Sequence, residues 1–291
     1  MQLDPQFDAA VTRVDAAEAA SLVADGVTVL DVRTPGEFSG LGHIPGAMLL
    51  PVQVIASAPA VLDTDAPVLV TCEHAVRSRV ASRLLAQAGF ERVHELATGM
   101  AGWDGPREFT SRPMAGPSPW LLECGDLIPR NGRALEVACG RGGNALLLAS
   151  AGLHVTAVDR DGHALARLQD QADRLGLPVT TRVVDLETGD ARLERHAHDL
   201  VVVTRYLHRQ LFPQLQESLA PGGVLIYETY LERQAEHGRP TNPDFLLKPG
   251  ELRDLVRPLE TLREFEGERD GAWIAAIAAR RMTRAVGPTP A

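Results

Sequence analysis

The feature that most constrains this chain is a strand–turn–helix–strand unit between residues 134 and 159. Residues 134–138 are an apolar run of strand length that ends at a turn containing Gly140 and Gly142. Residues 144–150 are predicted as a helix, and residues 153–158 as a second strand that ends at Asp159. Glycines at such a turn let the backbone approach a ligand closely, and an acid about twenty residues later reaches two ribose hydroxyls. The unit therefore predicts a nucleoside-containing cofactor in an α/β domain.

The spacing of these residues alone leaves the cofactor open. A dinucleotide fingerprint accepts alanine at its third glycine position, here Ala145, so both NAD and an unliganded core unit remain alternatives. Glu136 lies inside the first strand, where an acid disfavours a pyrophosphate but suits the amino group of a methionine moiety. The run Glu136-Val-Ala-Cys-Gly-Arg-Gly142 resembles the small-molecule branch of the class I S-adenosylmethionine-dependent methyltransferases, with its pattern Glu/Asp-x-Ala-Cys-Gly-x-Gly. The resemblance implies S-adenosylmethionine as the cofactor.

The same resemblance implies which residues bind this cofactor. The implied set lies on the glycine-rich turn and at successive strand ends: Glu136, Gly140, Gly142, Asn144, Asp159, Asp185, Leu186 and Thr204. In the family, the acid after the third strand (here residues 179–184) accepts a hydrogen bond from the adenine amino group, with the next residue against the ring. These positions are Asp185 and Leu186, and a purely surface role at a strand end is the alternative for Asp185.

The acceptor site is expected after the fourth predicted strand, residues 199–204, at the carboxyl edge of the sheet where α/β folds bind ligands. Methyltransferases acting on nucleobases or glutamine often carry Asp/Asn-Pro-Pro-Tyr there. This chain has Thr204-Arg-Tyr-Leu207 instead, which disfavours a planar amide or nucleobase acceptor.

The irregular segment 229–248 is predicted to be a lid or a binding loop. Its runs Gly238-Arg-Pro240 and Asn242-Pro-Asp-Phe-Leu-Leu247 resemble the tellurite-resistance-type methyltransferases. The resemblance implies an acceptor pocket formed by Tyr206, His208, Tyr230 and Arg239. Tyr206 and His208 would orient or deprotonate a neutral acceptor, and a plain surface histidine is the alternative for His208. The expected partner is a small thiol, sulfide or chalcogen acceptor.

The first hundred residues alternate predicted strands (27–31, 67–71 and 92–96) with helices, which indicates a second α/β domain. Cys72 directly follows one of these strands, and Arg77 opens the helix 77–87 five residues later. Backbone N–H groups and a helix N-terminus in such a loop lower the pKa of a thiol and stabilise a thiolate or persulfide.

The loop resembles the Cys-x-x-Gly-x-Arg-Ser loop of the rhodanese (sulfurtransferase) family, and Asp31-Val-Arg33 and residues 42–47 match its other signatures. The resemblance implies Cys72, Arg77 and Ser78 as catalytic residues, and a persulfide loop made of Glu73, His74, Ala75 and Val76. Asp31, Arg33 and His43 are expected to tie loops together.

This loop departs from the family pattern at two positions. Ala75 replaces the loop glycine, which strains the backbone if the position needs a positive φ. Glu73 places an acid beside the nucleophile and disfavours the thiosulfate dianion, so the sulfur donor stays open. The alternative is a rhodanese module that forms no persulfide and serves only regulation.

A proline-rich stretch between residues 105 and 132 marks a domain boundary. The expected organisation is a rhodanese-like α/β domain at 1–108, a linker with a short leading helix at 109–131, a Rossmann-like methyltransferase domain at 132–283 and a disordered tail at 284–291.

Composition excludes several other classes. The net charge is −9, which disfavours a nucleic-acid partner, and no apolar run reaches the ~20 residues of a membrane span. Three cysteines without metal-ligand spacing predict neither a metal site nor a disulfide framework. The acidic N-terminus lacks the apolar segment of a secretory signal, so a cytoplasmic location is expected.

Overall fold

The computed structural model describes residue 7, residues 10–188 and residues 192–283, so the predicted tail at 284–291 lies outside the described residues. The chain divides into two compact units. The first comprises Met1–Pro117, Arg141–Ser150 and Ala166–Pro178; the second comprises Ser118–Gly140, Ala151–Leu165 and Val179–Ala291. A five-stranded sheet lies in the first unit and a seven-stranded sheet in the second, which confirms the predicted two-domain α/β fold.

The elements of the first hundred residues are β1 (Val11–Val14), α1 (Ala16–Ala24), β2 (Thr28–Asp31), α2 (Pro35–Gly40), β3 (Met48–Leu49), α3 (Ala58–Val61), β4 (Val68–Thr71), α4 (Val76–Gln87) and β5 (Val93–Leu96). The strands are all parallel, in the order β1-β5-β4-β2-β3. Every residue of the central strand β4 is buried. Because parallel strands end at one edge, β2 and β4 bring Asp31 and Cys72 to the same side of the sheet.

The remaining elements are α5 (Pro119–Glu123), β6 (Arg133–Val137), α6 (Gly143–Ser150), β7 (His154–Asp159), α7 (Gly162–Arg174), β8 (Val179–Val183), β9 (His198–Thr204), α8 (Phe212–Ser218), β10 (Leu219–Tyr230), α9 (Glu251–Leu255), β11 (Glu260–Arg269) and β12 (Ala272–Arg280). The sheet order is β11-β12-β10-β9-β6-β7-β8. Strands β6 to β10 are parallel to one another, whereas β12 is antiparallel to β10 and β11. The order reverses between β6 and β9, which is the switch point where such sheets bind ligands.

Two parts of the second sheet differ from the sequence prediction. The edge strand β11 was not predicted, because Leu262 and Phe265 are its only large apolar residues and lie three positions apart, which is not the period of a strand. The proline and two glycines at residues 221–223 favour a break between a helix and a strand beginning at Val224. The helix ends at Ser218 instead, and β10 starts at Leu219 with a shift in its pairing to β9 before Val224.

The core of the second sheet positions the segment that follows β9. Residues 200–203 of β9 are fully buried, and burial of each such aliphatic side chain contributes about 1.5–3 kcal/mol. Tyr227 in β10 stacks on Phe212, with ring centroids 5.0 Å apart, and its hydroxyl donates to the carbonyl oxygen of Tyr206 at 2.7 Å. The backbone at Tyr206 is therefore fixed from the core side. No helix in the described ranges is long and apolar enough to cross a membrane.

Candidate functional site

The glycine-rich turn after β6 adopts backbone conformations that favour glycine. Gly140 has φ +52° and Gly142 has φ +75°. A Cβ at Gly142 would lie 2.4 Å from the Leu168 side chain, whereas a Cβ at Gly140 would meet no protein atom within 4 Å. The Gly140 N–H donates to Oδ2 of Asp159 at 2.8 Å. The turn is therefore held against the acid at the end of β7 and faces open space at Gly140.

A cavity of about 550 Å³, in the size range of small-molecule sites, lies at the carboxyl ends of β7 to β10. Its lining comes from the strand ends and the segment after β10: Ala138, Asp159, Arg160, Val184, Asp185, Leu186, Glu187, Arg205, Tyr206, Leu207, Thr229, Tyr230, Arg239, Pro240 and Phe245.

The cavity brings together six of the predicted residues. Of the cofactor set, the lining includes Asp159, Asp185 and Leu186, and of the acceptor set it includes Tyr206, Tyr230 and Arg239. The other predicted residues lie outside this lining: Glu136, Gly140, Gly142, Asn144, Thr204 and His208. Glu136 is buried within β6, and Asn144 is buried in the first turn of α6.

Backbone donors orient the two cavity acids. Asp159 accepts from Asp161 N at 2.9 Å as well as from Gly140 N. Asp185 accepts from Glu187 N at 2.9 Å. Carboxylates fixed in this way are preorganised to accept hydrogen bonds from a ligand.

The cavity lining also includes residues whose side chains can donate hydrogen bonds. Arg205 directly follows β9 with φ +55°, and its backbone N–H donates to the Glu228 carbonyl at 2.8 Å. Within the described ranges, neither Arg205 nor Arg239 has a side-chain hydrogen bond or ion pair, and the buried Tyr206 hydroxyl has no hydrogen-bond partner. Burial raises the pKa of Tyr206 to about 12, so this side chain is a phenol at neutral pH and not a base. Sequence reasoning missed Arg205.

A loop formed by residues 232–246 contributes Arg239, Pro240 and Phe245 to the cavity. Its ends meet where Leu247 N donates to Tyr230 O at 2.9 Å and Glu232 N donates to Leu247 O at 2.8 Å. Arg209 holds the loop from outside by donating to the carbonyls of Asp244 (3.0 Å) and Leu246 (2.8 Å) and to the Glu251 carboxylate (2.6 Å). No local sequence pattern indicates the role of Arg209, because its partners lie more than 30 residues away.

Replacing Arg209 with alanine is expected to loosen the 232–246 loop. The change removes charge-assisted hydrogen bonds to two carbonyls, each contributing about 1.5–3 kcal/mol. Hydrogen exchange of the loop amides should accelerate at least about tenfold, while S-adenosylhomocysteine affinity stays within about twofold of the parent. Arg253→Ala is the matched control, because Arg253 pairs with Glu264 away from the loop. Unchanged exchange in Arg209→Ala would show that other contacts hold the loop.

The second candidate centre is the loop after β4. The Cys72 residue is 1% exposed, and its Sγ accepts from the Ser78 N–H at 3.2 Å and lies 3.4 Å from Ser78 Oγ. Ala75 has φ +56°, so the replacement of the family glycine does place a side chain in the left-handed region. His74 and Val76 are exposed on the same loop. Burial raises the pKa of the other two thiols, Cys124 and Cys139, and Cys124 is fully buried.

Ion pairs occupy the charged groups around Cys72. The Arg77 guanidinium donates to both Glu37 carboxylate oxygens, at 2.5 and 2.7 Å. The Glu73 carboxylate accepts from Arg33 at 2.6 Å, and the buried Arg33 also pairs with Asp31 at 2.7 Å. One guanidinium is thus shared between two carboxylates, so the three groups together keep a net negative charge beside Cys72.

The Glu37–Arg77 pair predicts an acid-sensitive contribution to stability. Arg77 lowers the pKa of Glu37 to about 2 from its usual 4.5. The pair therefore stabilises the fold above about pH 4.5, and this stabilisation is lost as the pH falls towards about 2. Because both side chains are partly exposed, we expect a loss of about 1 kcal/mol in the free energy of unfolding. The free energy of unfolding, measured by urea unfolding across this pH range, should depend less on pH in Glu37→Gln than in the wild type. Identical profiles for the two proteins would contradict the prediction.

Two family models match the chain. Residues 15–105 match a model described as rhodanese-like domain, and residues 134–223 match one described as methyltransferase domain. The thiosulfate sulfurtransferase GlpE of Ectopseudomonas mendocina (strain ymp) is 35% identical over 91 residues, which cover 31% of this chain and 83% of that protein. The uncharacterized protein YqhL of Bacillus subtilis (strain 168) is 36% identical over 77 residues, covering 26% of this chain and 60% of YqhL.

Solved structures also show similarity to this chain. TehB from Haemophilus influenzae superposes with a TM-score of 0.47 at 19% identity, over 56% of this chain and 61% of that chain. An S-adenosylmethionine-dependent methyltransferase from Mesorhizobium loti gives 0.47 at 18% identity, over 55% of this chain and 96% of that chain.

Proposed function

This chain belongs to the rhodanese-like family over residues 15–105 and carries a methyltransferase domain over residues 134–223, and from this premise we propose that it methylates a small thiol, sulfide or chalcogen species and forms a persulfide on Cys72. S-adenosylmethionine is the cofactor of the methyltransferase domain. The alternative is a small-molecule methyltransferase whose rhodanese-like domain is only a binding or regulatory module.

The observation that carries the acceptor proposal is the set of donors in the cavity lining. Arg205 and Arg239 can only donate hydrogen bonds, the protonated Tyr206 hydroxyl can also donate one, and the two guanidinium groups attract an anion. A thiolate or chalcogenide is an anion that is already nucleophilic, so it needs no base. A neutral amine would meet two positive charges and, in Tyr206, a phenol that stays protonated.

The residues around the cavity fit S-adenosylmethionine and its chemistry. Bound there, the cofactor supplies an electrophilic methyl group for attack by the acceptor. Asp159 would accept from the ribose hydroxyls, and Asp185 with Leu186 would hold the adenine. Arg205 and Arg239 would draw the acceptor in and orient it, and the 232–246 loop would exclude water. Holding the two reactants in line in a water-poor site supplies most of the acceleration expected for such a transfer.

A turnover screen tests the acceptor class. S-adenosylhomocysteine formation is measured with thiols, hydrosulfide and reduced selenium or tellurium species, and separately with amines, carboxylic acids and phenols. We expect turnover confined to the first group and reduced about tenfold or more by Arg205→Gln or Arg239→Gln. Arg233→Gln is the matched control, because Arg233 lies on the same loop but stacks on Trp273 outside the cavity lining. Turnover only with the second group would refute the proposal.

Mass spectrometry of Cys72 tests the persulfide. The protein is incubated with thiosulfate or with a small organic persulfide, and the gain of one sulfur atom is located by peptide mapping. Thiosulfate is included because the relative GlpE is named a thiosulfate sulfurtransferase. Loading is expected on Cys72 and absent in Cys72→Ser. Failure of every donor to load Cys72 would favour the regulatory module.

A further inference from the structure

Glu95 is a buried carboxyl group close to Cys72 that neither proposed reaction uses. It lies in β5, 1% exposed, and the Ser78 hydroxyl donates to its Oε1 at 3.4 Å. The Cys72 thiol donates in turn to the same hydroxyl oxygen at 3.4 Å. Ser78 therefore joins a buried acid to the candidate nucleophile.

The Ser78 hydroxyl has one proton, for which Glu95 and Cys72 compete. An ionised Glu95 accepts this proton, so the Ser78 oxygen turns a lone pair towards Sγ and favours the protonated thiol. A protonated Glu95 donates to the Ser78 oxygen, which frees the hydroxyl to donate to Sγ. The Ser78 N–H already donates to Sγ at 3.2 Å, so the thiolate would then have two donors.

We propose that Glu95 controls the charge state of Cys72 through the Ser78 hydroxyl. The thiolate forms when the S–H proton passes to Ser78 Oγ while the Ser78 proton passes to Glu95, which becomes a carboxylic acid. One proton is thus shared between two groups, and no proton is taken up or released. Glu95 is a positioning residue, and its importance for sulfur transfer rests on the proposed persulfide function.

Other charged groups also face Glu95. Arg13 in β1 lies 3.5 Å from Oε2, Arg79 in α4 lies 4.0 Å from Oε1, and Arg83 contributes from the same helix. Burial raises the pKa of Glu95, whereas these arginines and Ser78 lower it. The carboxyl also lines a cavity of about 240 Å³ with the three arginines, which gives water a route to it.

The rate of Cys72 alkylation by iodoacetamide, measured on the full chain by peptide mass spectrometry across pH, tests the link. Wild type should show two inflections, because a coupled pair titrates in two steps. Glu95→Gln should react about tenfold faster at neutral pH and show one inflection, because the amide is neutral and can donate to Ser78. Glu91→Gln, an exposed carboxylate just before β5, should behave as wild type.

Substitutions at Ser78 provide a second route to the same result. In Ser78→Ala, the alkylation rate should show one inflection against pH, and adding Glu95→Gln should hardly change that rate. Ser78→Thr keeps the hydroxyl, so its profile should keep two inflections. A wild-type profile with one inflection, an unreactive wild-type thiol, or identical wild-type and Glu95→Gln profiles would overturn the proposal. The assay uses no sulfur donor, so a protein that shows this profile but accepts no sulfur would refute only the persulfide function.

Discussion

Replacing Asp159 with alanine is expected to weaken S-adenosylhomocysteine binding about a hundredfold. A carboxylate that accepts from ribose hydroxyls contributes about 1.5–3 kcal/mol per hydrogen bond, and two such bonds exceed a factor of a hundred in affinity. The substitution also releases the Gly140 N–H, so the glycine-rich turn loses the contact that holds it. Isothermal titration calorimetry measures the change directly.

Asp161→Asn is the matched control for that measurement. Asp161 lies two residues further on and caps α7 by accepting from His163 N at 2.9 Å and Ala164 N at 3.1 Å. Asparagine keeps a cap, so affinity should remain within about twofold of the parent. Tight NAD binding without any response to S-adenosylhomocysteine would contradict the assignment of this site.

Replacing Gly99 with alanine is expected to destabilise the first unit by about 3 kcal/mol or more. Gly99 has φ +62° and ψ −169°, a region that only glycine adopts readily. A Cβ there would lie 2.5 Å from the Glu73 carbonyl oxygen and 2.6 Å from that of Cys72. The clash is with backbone, so relief would move the Cys72 loop itself.

Hydrogen exchange of β4 amides, followed by mass spectrometry, would report that loss. Gly26→Ala separates the two causes, because Gly26 has φ +81° but open space around a Cβ, and should cost only about 1 kcal/mol. Equal protection of the β4 amides in Gly99→Ala and Gly26→Ala would show that the close approach of residue 99 to the Cys72 loop contributes nothing to the loss of stability.

Local sequence patterns predicted much of both sheets. The strands β6 and β7 and the helix α6 lie within a residue of their predicted bounds, because glycines and apolar runs mark their ends. The signal for β11 was also present in the sequence: Asp270-Gly271, both with positive φ, forms a tight turn of the kind that joins two antiparallel strands. With only Leu262 and Phe265 as large apolar residues, however, β11 contains no apolar run and no regular alternation.

Contacts between residues that are far apart in the sequence limit how much of the two candidate sites can be predicted. Glu95 is 17 residues from Ser78, and Glu37 is 40 residues from Arg77. Such pairings depend on which strands become neighbours, and no spacing rule in the chain encodes them. Asp159 could be predicted because its distance from the glycine-rich turn follows a known spacing. Arg205 follows no such spacing, and only the structure identifies it, as a cavity-lining residue with a positive φ.

The edge strand β11 has a consequence for how this protein meets other chains. An uncovered strand of ten residues is a template on which a further strand can add. Glu264, Glu266 and Glu268 occupy alternate, exposed positions along it, so they project from the same face of the strand. Glu264 pairs with Arg253, and Glu266 accepts from the Gly250 N–H, so the residues at the start of α9 hold two of these side chains in place. An incoming strand with acidic residues at the facing positions would meet the carboxylates of Glu266 and Glu268, which is unfavourable for pairing.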